Sequence, residues 1–278
     1  MQKMYKSWYV LVLSITLMSC SEYHKVLNKG DNADKYKMAE EMYDAGEYKK
    51  SIPLFEKLVG PYGGKPQLER IQYMLADAYY QTGNYELSSY YFGKFIANYP
   101  GSSKIEEAAY LSAHSYYLAA PKYSRDQTDT NKALEAFQTY ITNYPESERV
   151  ADANKYYQEL NARLEKKDFE IAHQYYHTEH YNAAMTAFDI FNEEHLGSSY
   201  KEEAMYFRFK AAHDLAVKSV LSKKSERLQE AKNSYDKFIK NFPESERLKE
   251  MNGLMEEVQR AEAELNEQIR AIESQSNS

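Results

Sequence analysis

One cysteine, one tryptophan, seven prolines and ten glycines are spread over 278 residues, and each scarcity excludes something. A lone cysteine closes no disulfide within the chain. Few turn residues argue against a sheet-rich fold with many tight hairpins. The longest apolar run, Trp8 to Leu17, is too short to cross a bilayer as a helix. A formal net charge of −7 leaves no basic excess with which to displace counterions, so nucleic acid is not expected as a partner. Motifs for chemistry are missing too. The nearest approach to a phosphate loop, PYGGKP (61–66), lacks the spacing and the Ser/Thr, and there is no GxSxG. No catalytic residue, metal or cofactor is expected, and the chain reads as a non-enzyme.

The lone cysteine has a particular place. Lys3 and Lys6 precede the apolar run, no acid occurs before Glu22, and the run ends Leu17-Met18-Ser19-Cys20. This is the layout of a secretory signal, and its end resembles a bacterial lipobox. On that reading residues 1–19 are removed, Cys20 carries the covalent lipid, and 20–33 is a lipidated linker. More than one acyl chain at Cys20 suffices for stable anchoring. Ser21 follows rather than Asp, so the signal for inner-membrane retention is absent. Losing Lys3 and Lys6 makes the mature charge 33 − 42 = −9.

Tyrosine, by contrast, is abundant: 28 copies against 11 phenylalanines. It recurs with a pattern. Pro61, Pro100, Pro145, Leu196 and Pro243 follow one another at intervals of 39, 45, 51 and 47 residues, with apolar-periodic stretches on either side. In the clearest unit, 69–100, small residues (Ala76, Ser88) alternate with aromatics (Tyr79, Phe92) at helical spacing, and Gly83-Asn84 breaks the pattern. This resembles the tetratricopeptide repeat: two helices crossing closely at small residues, aromatics filling the space beside the crossing, glycine ending the first helix. The same roles fall to Ala39, Gly46, Ser51 and Phe55; to Ala113, Tyr116, Ala133 and Phe137; to Ala172, Tyr175, Ala184 and Phe188; and, least clearly, to Phe209, Ala212, Ala231, Tyr235 and Phe238. The fold expected is all-α, a solenoid of five helical hairpins.

Two insertions and one extension modify it. The third unit gains residues near 120–127 and the fifth near 217–226. The first helix of the fourth unit is long, since no Gly or Pro interrupts 150–176. Repeats 1–3 are assigned to an N-terminal half, 34–146, and repeats 4–5 to a C-terminal half, 147–245. A last helix over 246–273, with Leu248, Met251, Leu254, Val258, Ala261, Leu265, Ile269 and Ile272 at spacings of three and four, is expected to cap the array with its first half and to offer a partner surface with its second. Residues 274–278 are expected to be disordered. At the joints, Ser147 is expected to N-cap the next helix, and Ser103–Glu106 and Ser199–Glu202 fit capping boxes.

A lipobox, five such repeats, LVGPYGGKPQ after the first unit, SRDQT (124–128) in the third-unit insertion and FIANYPGSSKIEEAAYLSA together resemble the BamD family, the lipoprotein subunits of the outer-membrane β-barrel assembly machine. The resemblance covers roughly residues 20–250. It implies a lipid-anchored protein on the periplasmic face of the outer membrane. It also implies two partners: the periplasmic domains of the barrel-forming assembly protein (BamA-like), held mainly by C-terminal repeats, and nascent outer-membrane proteins, received by N-terminal repeats.

Candidate binding residues follow from the repeat register. Each first helix carries an i, i+7 pair, a first and a second rung, at positions that face the groove in the tetratricopeptide pattern. Phe169 and Tyr176, and Tyr206 and His213, take them in the fourth and fifth units, and the candidate binding residues are the other three pairs, Tyr36 and Tyr43, Tyr73 and Tyr80, and Tyr110 and Tyr117. They form either a ladder for an extended peptide segment, which tyrosine suits, or packing within the array. Glu40, Asp77, His114, His173 and Lys210 lie between the rungs. Arg125 and Asp126 are the residues singled out for partner contact in the inserted loop. His173, His177 and His180 (HQYYHTEH) lack an HExxH or a cysteine partner and read as surface or groove histidines rather than metal ligands. The alternatives are a periplasmic adaptor for cell-wall or division enzymes and a glycan-binding surface lipoprotein. The second is disfavoured, because the one tryptophan lies in the signal segment.

Overall fold

A computed structural model describes residues 22–276, and every regular element among them is helical. Cys20 and the signal segment lie outside the described residues. Residues 22–29 form α1. Eleven helices follow: α2 (Asn32–Asp44), α3 (Tyr48–Val59), α4 (Gln67–Gln81), α5 (Tyr85–Asn98), α6 (Ile105–Ala119), α7 (Thr128–Asn143), α8 (Val150–His177), α9 (Tyr181–Glu194), α10 (Lys201–Val217), α11 (Leu221–Asn241) and α12 (Leu248–Ser276). Neighbours in sequence pack on one another through short loops, which makes the five hairpins α2–α3, α4–α5, α6–α7, α8–α9 and α10–α11. The tetratricopeptide-like, all-α reading holds.

The small residues sit where the helices cross. Ala39 and Ser51, Ala113 and Ala133, Ala172 and Ala184, and Ala212 and Ala231 are all buried. At the second crossing the Ser88 hydroxyl donates to the Ala76 carbonyl at 3.1 Å, an approach that a larger side chain would prevent. Phe55, Phe92, Phe137 and Phe188 are fully buried beside these crossings, each stabilising by about 2–3 kcal/mol. In the fifth hairpin the position falls to Tyr235, which is only half-buried and donates its hydroxyl to Asn252. Phe238 fills the core there instead.

First helices end alike. Gly46 and Gly83 adopt φ of 73° and 78°, and the amide of the next residue reaches back into the last turn (Glu47 to Met42, 2.8 Å; Asn84 to Tyr79, 2.9 Å). The fourth hairpin makes the same turn without glycine: Glu179 takes φ 59°, and His180 donates to Tyr175 at 2.9 Å.

The chain divides into two compact units, up to Leu160 and from Asn161 onward. The boundary falls inside α8, not at 146/147. The sequence places a helix end at Pro145, but the first turns of α8 still pack on the third hairpin, with Ala153 and Leu160 buried against Phe137. The expected linker 20–33 is partly structured: Tyr23, Val26 and Leu27 of α1 pack on the core of the first hairpins, and the Tyr23 hydroxyl donates to the Lys50 carbonyl at 3.0 Å. The insertion near 217–226 is mostly helix, absorbed into the start of the 21-residue α11. α12 lies on α10 and α11 through Met251, Val258, Ala261 and Leu265, and leaves Ile269 and Ile272 exposed. It runs through Ser276, so the tail expected to be disordered from 274 is helical to that point.

The joints correct the capping expectation. The bonding serine stands one residue earlier than the capping boxes require: Ser102 and Ser198 accept from the amides of Lys104 (3.1 Å) and Tyr200 (3.2 Å). Ser147 and Ser245 likewise accept from Arg149 and Arg247. Glu106 and Glu202 do not turn back to cap their own helices. They accept instead from Ser147 and Ser245 of the following joint, each at 2.6 Å.

Candidate functional site

All six ladder tyrosines are half-buried on the first helices of unit 1. Their rings pack, and the hydroxyls of Tyr43, Tyr80 and Tyr117 reach partners on the next first helix. The second rung of one hairpin bonds the residue between the rungs of the next. Tyr43 donates to Asp77, and the Tyr80 hydroxyl meets His114 Nδ1 at 2.7 Å. Tyr117 donates to Glu159 on α8 and lies 4.5 Å from the Tyr156 ring. Equivalent positions of neighbouring first helices, such as Ala39, Ala76 and Ala113, are 37 residues apart. The 34-residue interval of the first two bonds is three short of that, because each second rung reaches a residue three positions before its own counterpart, and so ties one repeat to the next.

The first rungs are covered from the joints. Four residues after Pro100, Lys104 places its ammonium 5.3 Å from the Tyr73 ring centre. Four after Pro145, Arg149 lies 5.0 Å from Tyr110, and four after Pro243, Arg247 lies 4.5 Å from Tyr206. At Leu196 the fourth residue is Tyr200, stacked on Phe169 at 5.0 Å. After Pro61 the layer is doubled: Lys65 lies over Tyr62, which stacks on Tyr36 at 5.6 Å. Cation–π contact is the common term at four of the five joints. The joint sequence and the tyrosine excess are therefore one feature, which the sequence reading treated as two.

Burial sets the ionisation of these phenols. Tyr36 and Tyr110 are each pushed up to about 12, first by desolvation; Glu40 adds to the shift at Tyr36, and Tyr156 and Asp152 add to it at Tyr110. Tyr43 and Tyr73 are raised further by burial and by the carboxylates of Asp77 and Glu107 respectively. All four remain protonated at neutral pH. His114, half-buried among Tyr80, Tyr110, Tyr117 and Tyr156, has its pKa lowered by desolvation.

Two of the six tyrosines meet in a cavity of about 430 Å³. Tyr43 and Tyr73 line it with Pro66, Met74 and Phe95, and Arg70, Lys104, Glu69 and Asp44 supply charge. Tyr36, Tyr80, Tyr110 and Tyr117 are not among its lining residues. Arg70 pairs with Glu40 at 2.8 Å and Lys104 with Glu107 at 2.8 Å. The two cations escaped the sequence reading because neither stands on the i, i+7 stripe. The cavity combines apolar wall with both signs of charge, which suits a peptide segment more than a small metabolite.

The inserted loop between α6 and α7 is built around Gln127, a residue the sequence did not single out. Its buried side chain donates to the carbonyls of Lys122 (2.9 Å) and Arg125 (3.0 Å) and accepts from the Thr130 hydroxyl at 2.7 Å. Asp126 accepts from the Thr128 amide at 2.9 Å and so helps to start α7. Arg125 and Asp126 are both exposed. Among the three histidines, His173 and His177 are neighbours with ring centres 4.2 Å apart, while His180 sits in the turn with Nδ1 3.0 Å from the Thr178 hydroxyl. Desolvation, then the neighbouring His177, lowers the pKa of His173.

The model of a family described as YfiO, outer membrane lipoprotein, matches residues 28–220. No curated protein matches the chain. A solved chain from work on "Computational Design of Self-Assembling Cyclic Protein Homooligomers" aligns over 98% of this chain and 99% of that one, at 12% identity and a TM-score of 0.22. That score carries no argument about fold or function.

Proposed function

The chain belongs to the YfiO family of outer membrane lipoproteins, and on that premise we propose that it is a non-catalytic scaffold subunit of the complex that assembles β-barrel proteins into the outer membrane. In this reading Cys20 carries the lipid and the helical hairpins face the periplasm. One partner is the periplasmic part of a BamA-like barrel-forming protein, and nascent outer-membrane proteins are the other. The observation that carries the proposal is the family match itself, which runs from residue 28, near the end of α1, to residue 220, past the end of α10. The cavity at Tyr43 and Tyr73 supports a peptide role for unit 1, because an extended segment bearing aromatic side chains finds ring edges and charged partners within reach. Arg125 and Asp126 stand on a loop held rigid by Gln127, a fitting base for a partner contact.

Affinity capture of the tagged protein from solubilised outer membrane tests this reading. Recovery of a barrel-forming assembly protein is expected. Recovery of cell-wall enzymes in its place would overturn it in favour of the adaptor reading.

A further inference from the structure

Asp168 on α8, Glu194 at the end of α9 and the adjacent His195 bring one imidazole and two carboxylates together, with their ligand atoms all within 4.8 Å of one another. His195 Nε2 lies 3.0 Å from an Asp168 carboxylate oxygen, and their side chains are 18% and 44% exposed. The cluster lies wholly in unit 2.

The repeat itself shows how unusual this is. Three other joints read Asn98-Tyr99-Pro100, Asn143-Tyr144-Pro145 and Asn241-Phe242-Pro243; here the same positions read Glu194-His195-Leu196. Asp168 precedes Phe169, and the residues preceding the equivalent first rungs are Lys35, Gln72, Ala109 and Met205, none of them acidic. In the second hairpin the pair at these positions is neutral, with Asn98 donating to Gln72 at 3.0 Å. The fourth hairpin replaces that amide pair with two carboxylates and turns the neighbouring aromatic into an imidazole. Two carboxylates this close repel unless a positive charge lies between them. The C-terminal end of α9 adds further negative potential at the same place. Ligand atoms each about 2.0–2.2 Å from a tetrahedral zinc ion would be about 3.3–3.6 Å apart, so His195 and Asp168, in direct hydrogen-bond contact at 3.0 Å, need to part by only a few tenths of an ångström to admit the ion.

The geometry points to a divalent transition-metal site formed by Asp168, Glu194 and His195, clasping α8 to the end of α9. One imidazole with two carboxylates suits Zn²⁺ and its neighbours in the first transition row. The sequence argument against a metal rested on HQYYHTEH and did not reach this group, whose His195 and Asp168 are 27 residues apart.

Zn²⁺ titration of the full chain in detergent, followed by calorimetry and thermal melting, tests the site. One ion per chain and a zinc-dependent rise in melting temperature are expected. H195Y, which restores the residue of the other joints, and D168N should each weaken binding by at least about tenfold while keeping the helical circular dichroism. E194N provides a second folded control with the same expected direction. H177N, which removes the neighbouring histidine pair, should leave binding unchanged. Absence of saturable binding in the wild type would overturn the site. So would binding that survives H195Y and disappears in H177N.

Discussion

Ser147 gives its hydroxyl hydrogen to Glu106 at 2.6 Å, across 41 residues, while Tyr140 holds the same serine oxygen at 2.7 Å. Ser245 and Glu202 repeat the serine–glutamate bond in unit 2, across 43 residues. In both units the joint between repeats is thus a hydrogen-bonded latch, and its serine also braces the start of the next helix. S147A should lower unfolding free energy by about 1 kcal/mol, since the Glu106 side of the bond is open to water. A double-mutant cycle with E106Q, read by urea denaturation, should show positive coupling; strictly additive losses would mean that the latch contributes nothing.

Glu179 occupies the left-handed turn that Gly46 and Gly83 occupy elsewhere. A side chain at φ 59° costs energy that glycine does not. E179G should therefore stabilise the protein by about 0.5–1 kcal/mol, even though it removes the exposed pair with Lys218 at 3.2 Å. Thermal melting of the purified variant decides the sign.

The pH dependence follows from His114. Burial holds its folded pKa below the unfolded value, so the unfolded chain binds the extra proton first. Its contribution is fully present above about pH 6.5 and is lost as pH falls from there through the folded pKa. Denaturation midpoints should drop between about pH 7.5 and pH 5, and H114Q should flatten that slope. Some slope should remain, because His173 is depressed in the same direction.

Arg208 reaches three partners from α10: both oxygens of Asp189 (3.1 and 3.0 Å), Glu230 at 2.6 Å, and Ser234. Its own side chain is 12% exposed, while the two carboxylates are 46% and 39% exposed. R208M should cost about 1–2 kcal/mol, less than loss of a fully buried partner, because water reaches the abandoned acids. R208K should recover part of this but not all, since an ammonium cannot bond Asp189 through two parallel N–H groups. Guanidinium-induced unfolding of the three proteins provides the ranking.

The hairpins were legible because the crossing sites tolerate only small residues, and Ala76, Ser88 and their counterparts recur at fixed spacing. Breaks at Gly46 and Gly83 were legible for the same reason, whereas Glu179 was not: its turn is imposed by the helices on either side rather than announced by a residue type. The tyrosine stripe was seen but its use was not. Spacing puts Tyr43 and Tyr80 on one face, yet only the stacking of repeats brings Asp77 and His114 to their hydroxyls. The joint serines read as local caps because sequence shows near neighbours, while Glu106 and Glu202 reach across more than forty residues. Gln127 carries no signal in sequence, because a polar residue in a polar loop gives no sign that it will be the loop's buried centre.

Controlled depletion of the protein, followed by counting folded β-barrels in the outer membrane by their heat-modifiable mobility, tests the central claim most directly. The scaffold reading predicts that folded barrels decline and unfolded precursors accumulate in the periplasm before growth stops. Undiminished folded barrels, with a cell-wall or division defect in their place, would contradict it.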